Sequence, residues 1–251
     1  MKIKYGIMTA MQEESAALLD EMDVRNTECI GRRDYHTGLL CGQEVVLVFS
    51  HWGKVAAAIT ASCLIGKFDI DELIFTGVAG AVKESVSIGD IIVANNLYQH
   101  DMDVRPILER HEIPLMGTAK ISASQPIREK LLKAADNFVN DDLHTVLKDT
   151  DKFSDLKKPS VISADIASGD QFISRSEHAK NIRDRLPGVA CVEMEGAAVA
   201  QVCSSYSLPF GIVRTISDSA NNSSESDFSD FILNKAQVYS LGIVNQYLRF
   251  T

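Results

Sequence analysis

What most constrains this chain is an alternation, sustained from Tyr5 to Arg249, of short apolar runs of strand length with longer segments whose apolar residues recur at helical spacing. Strands read at Tyr5–Thr9, Glu44–Phe49, Glu72–Gly77, Asp90–Ala94, Ser160–Ala167, Val189–Glu193 and Phe210–Ser217. Helices read at Glu13–Glu21, Val55–Gly66, Ile127–Val139, Ser176–Leu186, Gly196–Ser205 and Phe228–Arg249. Such alternation predicts an α/β fold in which helices cover the faces of a sheet. Continuous runs such as Leu73-Ile74-Phe75 and Ile91-Ile92-Val93 predict central strands buried on both faces. Arg32–Leu40, followed by Gly42, predicts a hairpin arm. With no internal repeat and no Pro/Gly/Ser-rich linker, the expectation is one domain over residues 1–251. Asn140–Lys158, acidic residues interleaved with lysines, reads as a solvated excursion. The Ser/Asn-rich stretch Ala220–Asp227 reads as a loop placed to act as a lid.

Composition narrows the partners. Acidic residues outnumber basic ones 34 to 25, a net charge of -9, which repels nucleic-acid phosphates and anionic membrane surfaces and leaves small molecules as the natural ligands. No segment has the roughly 20 apolar residues a membrane span needs, and the N-terminus carries no apolar leader, so a cytoplasmic protein is expected. Cys29, Cys41, Cys63, Cys191 and Cys203 are odd in number, never form a C-x-x-C pair and read as buried thiols. Six histidines without H-x-x-x-H or H-E-x-x-H spacing argue against a metal site, and no cofactor is expected. Gly77-Val78-Ala79-Gly80 is neither a dinucleotide fingerprint nor a P-loop, and no G-x-S-x-G elbow occurs.

Ligands of open α/β sheets collect at the carboxyl ends of strands. Here those ends are acidic: Glu13 and Glu14 after the first strand, Asp170 after the fifth, Glu193 and Glu195 around the sixth, Asp218 at the last. One carboxylate at a helix start is an ordinary cap. Four such strand ends converging repel one another unless a ligand or a proton relieves them, which points to a functional pocket.

The motifs as a set resemble the methylthioadenosine/S-adenosylhomocysteine nucleosidases of the nucleoside phosphorylase-like superfamily, over nearly the whole chain. They are Met8-Thr9-Ala10-Met11-Gln12-Glu13-Glu14, Gly53-Lys54-Val55-Ala56-Ala57-Ala58, Thr76-Gly77-Val78-Ala79-Gly80, Gly89-Asp90-Ile91, His100-Asp101-Met102-Asp103, Ser168-Gly169-Asp170-Gln171-Phe172-Ile173, Val192-Glu193-Met194-Glu195-Gly196 and Arg214-Thr215-Ile216-Ser217-Asp218. The resemblance implies a three-layer α/β/α sandwich around a mixed sheet, usually a homodimer, that hydrolyses the N-glycosidic bond of 5′-thio-substituted adenosines. It further implies Asp218 as general acid at adenine N7 and Glu14 as the base that activates water. Glu195 and Met194 would hold the ribose hydroxyls, with Glu193 in the ribose region. Phe172 would stack on adenine, the Ile173 backbone would read its edge, Ser217 would orient Asp218, and Val78 would contact substrate.

These roles make chemical sense. Adenine leaves easily only if its N7 is protonated as the ribose gains oxocarbenium character, so Asp218 must carry a proton despite an ordinary pKa of about 3.9. Glu14 must instead be ionised to take a proton from water, and acid and base flanking the sugar imply inversion. A phosphorylase needs cationic donors around its nucleophile, whereas the first loop offers carboxylates. Arg214 is the one arginine in these motifs and reads either as a partner for the Glu14 region or as a structural ion pair.

Two stretches depart from the family. Ser50-His51-Trp52-Gly53 replaces a smaller Ser-Gly-Ile-Gly, so Trp52 is expected to reshape the 5′-substituent pocket. Arg105–Arg110 lacks the aromatic stretch that reaches toward a partner subunit, so the family's dimer contacts do not transfer there. The other readings compatible with the sequence are a purine nucleoside phosphorylase, a futalosine-type hydrolase, or a nucleoside-binding protein without activity.

Overall fold

In a computed structural model the described residues are 4–143, 158–221 and 224–250. Eleven strands among them form one sheet: β1 (Tyr5–Thr9), β2 (Asp23–Ile30), β3 (Arg33–Leu40), β4 (Gln43–Phe49), β5 (Glu72–Thr76), β6 (Val78–Ala81), β7 (Ile91–Gln99), β8 (Lys120–Ser122), β9 (Val161–Ser168), β10 (Val189–Glu193) and β11 (Phe210–Asp218). The helices are α1 (Gln12–Glu21), α2 (Lys54–Phe68), α3 (Gln125–Asn137), α4 (Ser176–Arg185), α5 (Gly196–Ser205), α6 (Ser224–Phe231) and α7 (Gln237–Arg249).

The strand order is β2-β3-β4-β1-β5-β11-β6-β10-β9-β7-β8, a mixed sheet. Parallel pairing joins β4, β1, β5 and β11 through the centre. β7 also pairs back antiparallel to β11, with Val213 opposite Val93, so β11, β6, β10, β9 and β7 close into a ring. That closure is what draws the ends of distant strands together.

Side chains of the central strands alternate between two cores, as a pleat requires. Met8, Val46, Val48, Leu73 and Phe75 face α2 and α5, packing with Ala57, Leu64, Val199 and Cys203. Ile7, Val45, Leu47 and Ile74 face α1, α3 and α7, packing with Leu18, Leu131, Tyr239 and Tyr247. Three layers result, helix on sheet on helix, as expected. The doubly buried strands also bear out the reading of Leu73-Ile74-Phe75 and Ile91-Ile92-Val93.

Several expectations shift. The hairpin arm exists, β3 pairing antiparallel with β4, but it gains β2 on its outer edge. β2 is exposed along most of its length, so it carries no apolar alternation to betray it. The segment Phe228–Arg249 is two helices separated by a π-helical turn at Ile232–Ala236, and the stretch after Asn221 is not all loop, because α6 begins at Ser224. The excursion at 140–158 lies mostly outside the described residues. Cys29 and Cys41 are exposed and Cys63 is half-buried, because Cys29 lies on the solvent-facing β2 and Cys41 at the turn between β3 and β4; none of the five cysteines is in a disulfide. No described helix is long and apolar enough to cross a membrane.

Candidate active site

The carboxyl ends of β1, β10 and β11, with β6, the β9 loop and α6, surround a cleft of about 490 Å³. Val78, Phe172, Glu193, Met194, Glu195, Ser217, Asp218 and Trp52 all line it. Ile173 borders a small recess continuous with it, shared with Phe172, Met194 and Asp218. Sequence reasoning did not name Ser174, Glu225, Phe228 or Ser229, which complete the outer wall. Phe228 meets Phe172 edge to face, ring centroids 5.5 Å apart.

Asp218 ends β11 opposite Gly80 of β6. A Cβ at position 80 would stand 2.8 Å from Asp218 Oδ1, so the glycine makes room for the carboxyl. Ser217 Oγ lies 2.9 Å from Asp218 Oδ2, and the Ala220 amide donates to Oδ1 at 2.8 Å. Burial pushes this carboxyl above the ordinary range, while the Ala220 amide and the Ser224 and Ser217 hydroxyls pull it back.

Glu14 is fully buried at the start of α1. The Met11 amide donates to its Oε2 at 3.1 Å, and Oε1 has no hydrogen-bond partner in the protein. Ala10 and Met11 line the cleft, so Glu14 sits directly behind its wall, joined to it by that hydrogen bond. Desolvation raises its pKa from 4.5 to about 7, against the pull of Arg214 and the Met11 amide.

Arg214 corrects one of the readings. Its guanidinium, fully buried, is bound to Glu193 rather than Glu14: Nη2 and Nε donate to Glu193 Oε2 at 2.7 and 3.2 Å. Nη1 turns to the carbonyls of Phe75 and Val213, and the group lies 4.1 Å from the Phe75 ring centroid. The physical reason is proximity: Glu193 ends β10, separated from β11 only by the short β6, and its carboxylate lies within hydrogen-bond reach of the guanidinium. Arg214 reaches Glu14 through the field alone.

Glu193 is thereby held tightly. The Gly196 amide donates to its Oε2 at 2.7 Å and the Glu195 amide at 3.2 Å, while Ser168 Oγ hydrogen-bonds Oε1 and accepts the Ala197 amide at 2.7 Å. This carboxylate serves the amides at the start of α5, where the helix dipole favours negative charge. Glu195 is the more available of the two. Its Oε1 accepts the Gly53 amide at 2.8 Å, and burial next to Glu193 raises its pKa. Trp52 is 64% exposed over the cleft mouth, its indole N–H donating to the Ala10 carbonyl at 3.1 Å. No group of three or more metal-ligating side chains occurs among the described residues.

The model of the phosphorylase superfamily matches residues 4–249. The 5′-methylthioadenosine/S-adenosylhomocysteine nucleosidase of Shewanella loihica is 34% identical over 243 residues, 97% of this chain and 98% of the relative. Among solved structures, the nucleosidase of that name from Neisseria meningitidis, in complex with methylthio-immucillin-A, superposes with a TM-score of 0.87 at 29% identity, covering 99% of both chains. Futalosine hydrolase of Helicobacter pylori gives a TM-score of 0.85 at 27% identity over 99% of this chain and 98% of its own. A match spanning the whole sheet and every strand end of the cleft makes the chain a member of the phosphorylase superfamily, in its 5′-methylthioadenosine/S-adenosylhomocysteine nucleosidase family.

Proposed function

We propose that the cleft hydrolyses the N-glycosidic bond of 5′-methylthioadenosine and S-adenosylhomocysteine, and of 5′-deoxyadenosine, giving adenine and the corresponding ribose. The observation that carries this reading is the pairing around one cleft of two carboxyls with raised pKa values, Asp218 in its wall and Glu14 directly behind it. A full-length relative named for the same reaction supports it.

Asp218 is the general acid. Ser217 Oγ also lies 3.4 Å from the Ala79 carbonyl and has a single proton to give. A protonated Asp218 resolves the competition: its O–H donates to Ser217 Oγ, whose own O–H donates to the Ala79 carbonyl, and the Asp218 proton then goes to adenine N7 as the glycosidic bond breaks. Phe172 stacks on the base, and the Ile173 backbone reads its edge. Glu195 and Met194 bind the ribose hydroxyls, with Glu193 in the ribose region, its Oε2 accepting the Glu195 amide. Val78 and Trp52 complete the sugar and 5′-substituent walls.

Glu14 takes the proton of the attacking water. It meets water when the backbone at Ala10 and Met11 admits it, and its unpartnered Oε1 supplies the acceptor. Phosphate is a poor nucleophile here, because among the described residues no lysine, arginine or histidine lines the cleft and Arg214 is spent on Glu193. The protein works as a homodimer, for which exposed Val55, Ile59 and Tyr206 provide an apolar surface.

The test is adenine release from methylthioadenosine, S-adenosylhomocysteine and adenosine, with and without phosphate. The proposal expects release from the two thio-nucleosides at a rate indifferent to phosphate. Release that depends on phosphate would replace it with a phosphorylase, and no release with tight adenine binding would leave a binding protein.

A further inference from the structure

The proposed ribose ligand Glu195 is held by an amide whose own position is set from outside the cleft. That amide belongs to Gly53, which has φ 90° and lies two residues after His51 at φ 62°, so local preference does not fix its direction. The fixing comes from the next residue, Lys54, at the start of α2. Its backbone N–H donates to Asp170 Oδ1 at 2.8 Å, and its ammonium donates to Asp101 Oδ1 at 2.7 Å and Gln99 Oε1 at 3.1 Å. Asp170 and Asp101 are locked to each other, the Asp170 amide donating to Asp101 Oδ2 at 3.0 Å. A Cβ at Gly53 would stand 3.1 Å from Asp170 Oδ1, so the carboxylate also walls in the glycine. The circuit closes on α5: Gln99 Nε2 donates to Gln201 Oε1 at 2.7 Å, on the helix that Glu195 begins.

Both sides of the Gly53–Glu195 contact are thus tied to one set of side chains, none of which lines the cleft. The Lys54 and Asp101 side chains are 17% and 23% exposed, sheltered enough for the pair to hold its geometry. We infer that Lys54, Asp101 and Asp170 form a clamp that positions Glu195 on the ribose hydroxyls through the Gly53 amide, and so sets how strongly the cleft prefers a hydroxylated sugar over a deoxygenated one. This rests on the role proposed above for Glu195. The three are positioning residues: each acts through Gly53, and none reaches substrate.

The experiment compares methylthioadenosine with its 2′,3′-dideoxy analogue in the wild-type protein and in Lys54→Met, Asp170→Ala, Lys54→Arg and Glu195→Gln. Loss of one capping or charge-assisted hydrogen bond corresponds to about a fivefold to tenfold effect. Lys54→Met and Asp170→Ala should lower kcat/KM for methylthioadenosine by about that factor, mainly through KM, and change the analogue by less than about twofold. Lys54→Arg should restore most of the loss. Equal losses on both sugars would overturn the clamp and leave a structural ion pair. Glu195→Gln separates the two claims: if its loss does not depend on the hydroxyls, the role of Glu195 fails instead. Should the wild-type protein release no adenine, the proposed activity fails, and the same ratio read as Kd values of the uncleaved nucleosides by calorimetry still decides the clamp.

Discussion

Glu14 shows how a single residue couples stability to chemistry. Its ordinary value is 4.5 and its folded value about 7, so the folded protein keeps a proton that the unfolded chain gives up between those limits. Stability from this group is therefore intact below about pH 4.5 and falls as pH rises through 7, by at most roughly 3 kcal/mol. Glu14→Gln cannot ionise. It should be more stable than the wild-type protein at pH 8, by up to that amount, and nearly equal at pH 4.5; urea melts at the two pH values check this, and a difference that does not vary with pH would contradict it. The position of Glu14 was legible in the sequence because an acidic pair follows the first strand. Its partner was not: Arg214 could satisfy either of two carboxylates, and only the closure of the sheet decides that Glu193 takes it. Removing one member of that fully buried pair, as in Arg214→Met, should cost about 3–5 kcal/mol because the other charge is stranded; a loss below about 1 kcal/mol in chemical denaturation would refute this.

Elements were readable where burial writes a period into the sequence. β1 and β10 fall on the expected residues because every side chain in them is buried, and α5 because small and apolar residues fill it. β2 is solvent-facing, and β6 is four residues of Val, Ala and Gly that resemble a turn, so neither announces itself. The π-helical turn between α6 and α7 is likewise silent, since the apolar spacing continues through it. α7 packs on the helical turn after α3 through Gly242, where a Cβ would lie 2.2 Å from the Phe138 ring. Gly242→Ala improves helix propensity by about 1 kcal/mol but overpacks this contact by about 1–3 kcal/mol. The urea midpoint should fall, and a raised midpoint would show that the two helices can part without cost.

At the scale of the molecule, the excess of acidic residues is plain in the composition, but its inward direction is not. Glu193 and Glu195 at the end of β10, Asp218 at the end of β11 and Glu225 at the start of α6 all line the cleft. A nucleoside whose 5′ substituent carries a net negative charge meets this field unpaired, while a neutral thioether, or a homocysteine whose ammonium balances its carboxylate, does not. Cleavage of a carboxylate-bearing futalosine-type nucleoside should therefore be at least about tenfold less efficient than that of methylthioadenosine, with the gap narrowing as salt screens the rim. Equal kcat/KM values at low salt would remove charge as the basis of selection. The account as a whole turns on a proton held by Asp218. Its most direct test is the rate of adenine release from methylthioadenosine by Asp218→Asn in phosphate-free buffer at neutral pH, beside the wild-type protein. The account predicts a loss of at least about 100-fold with the nucleoside still bound, and a variant that keeps the wild-type rate would contradict it.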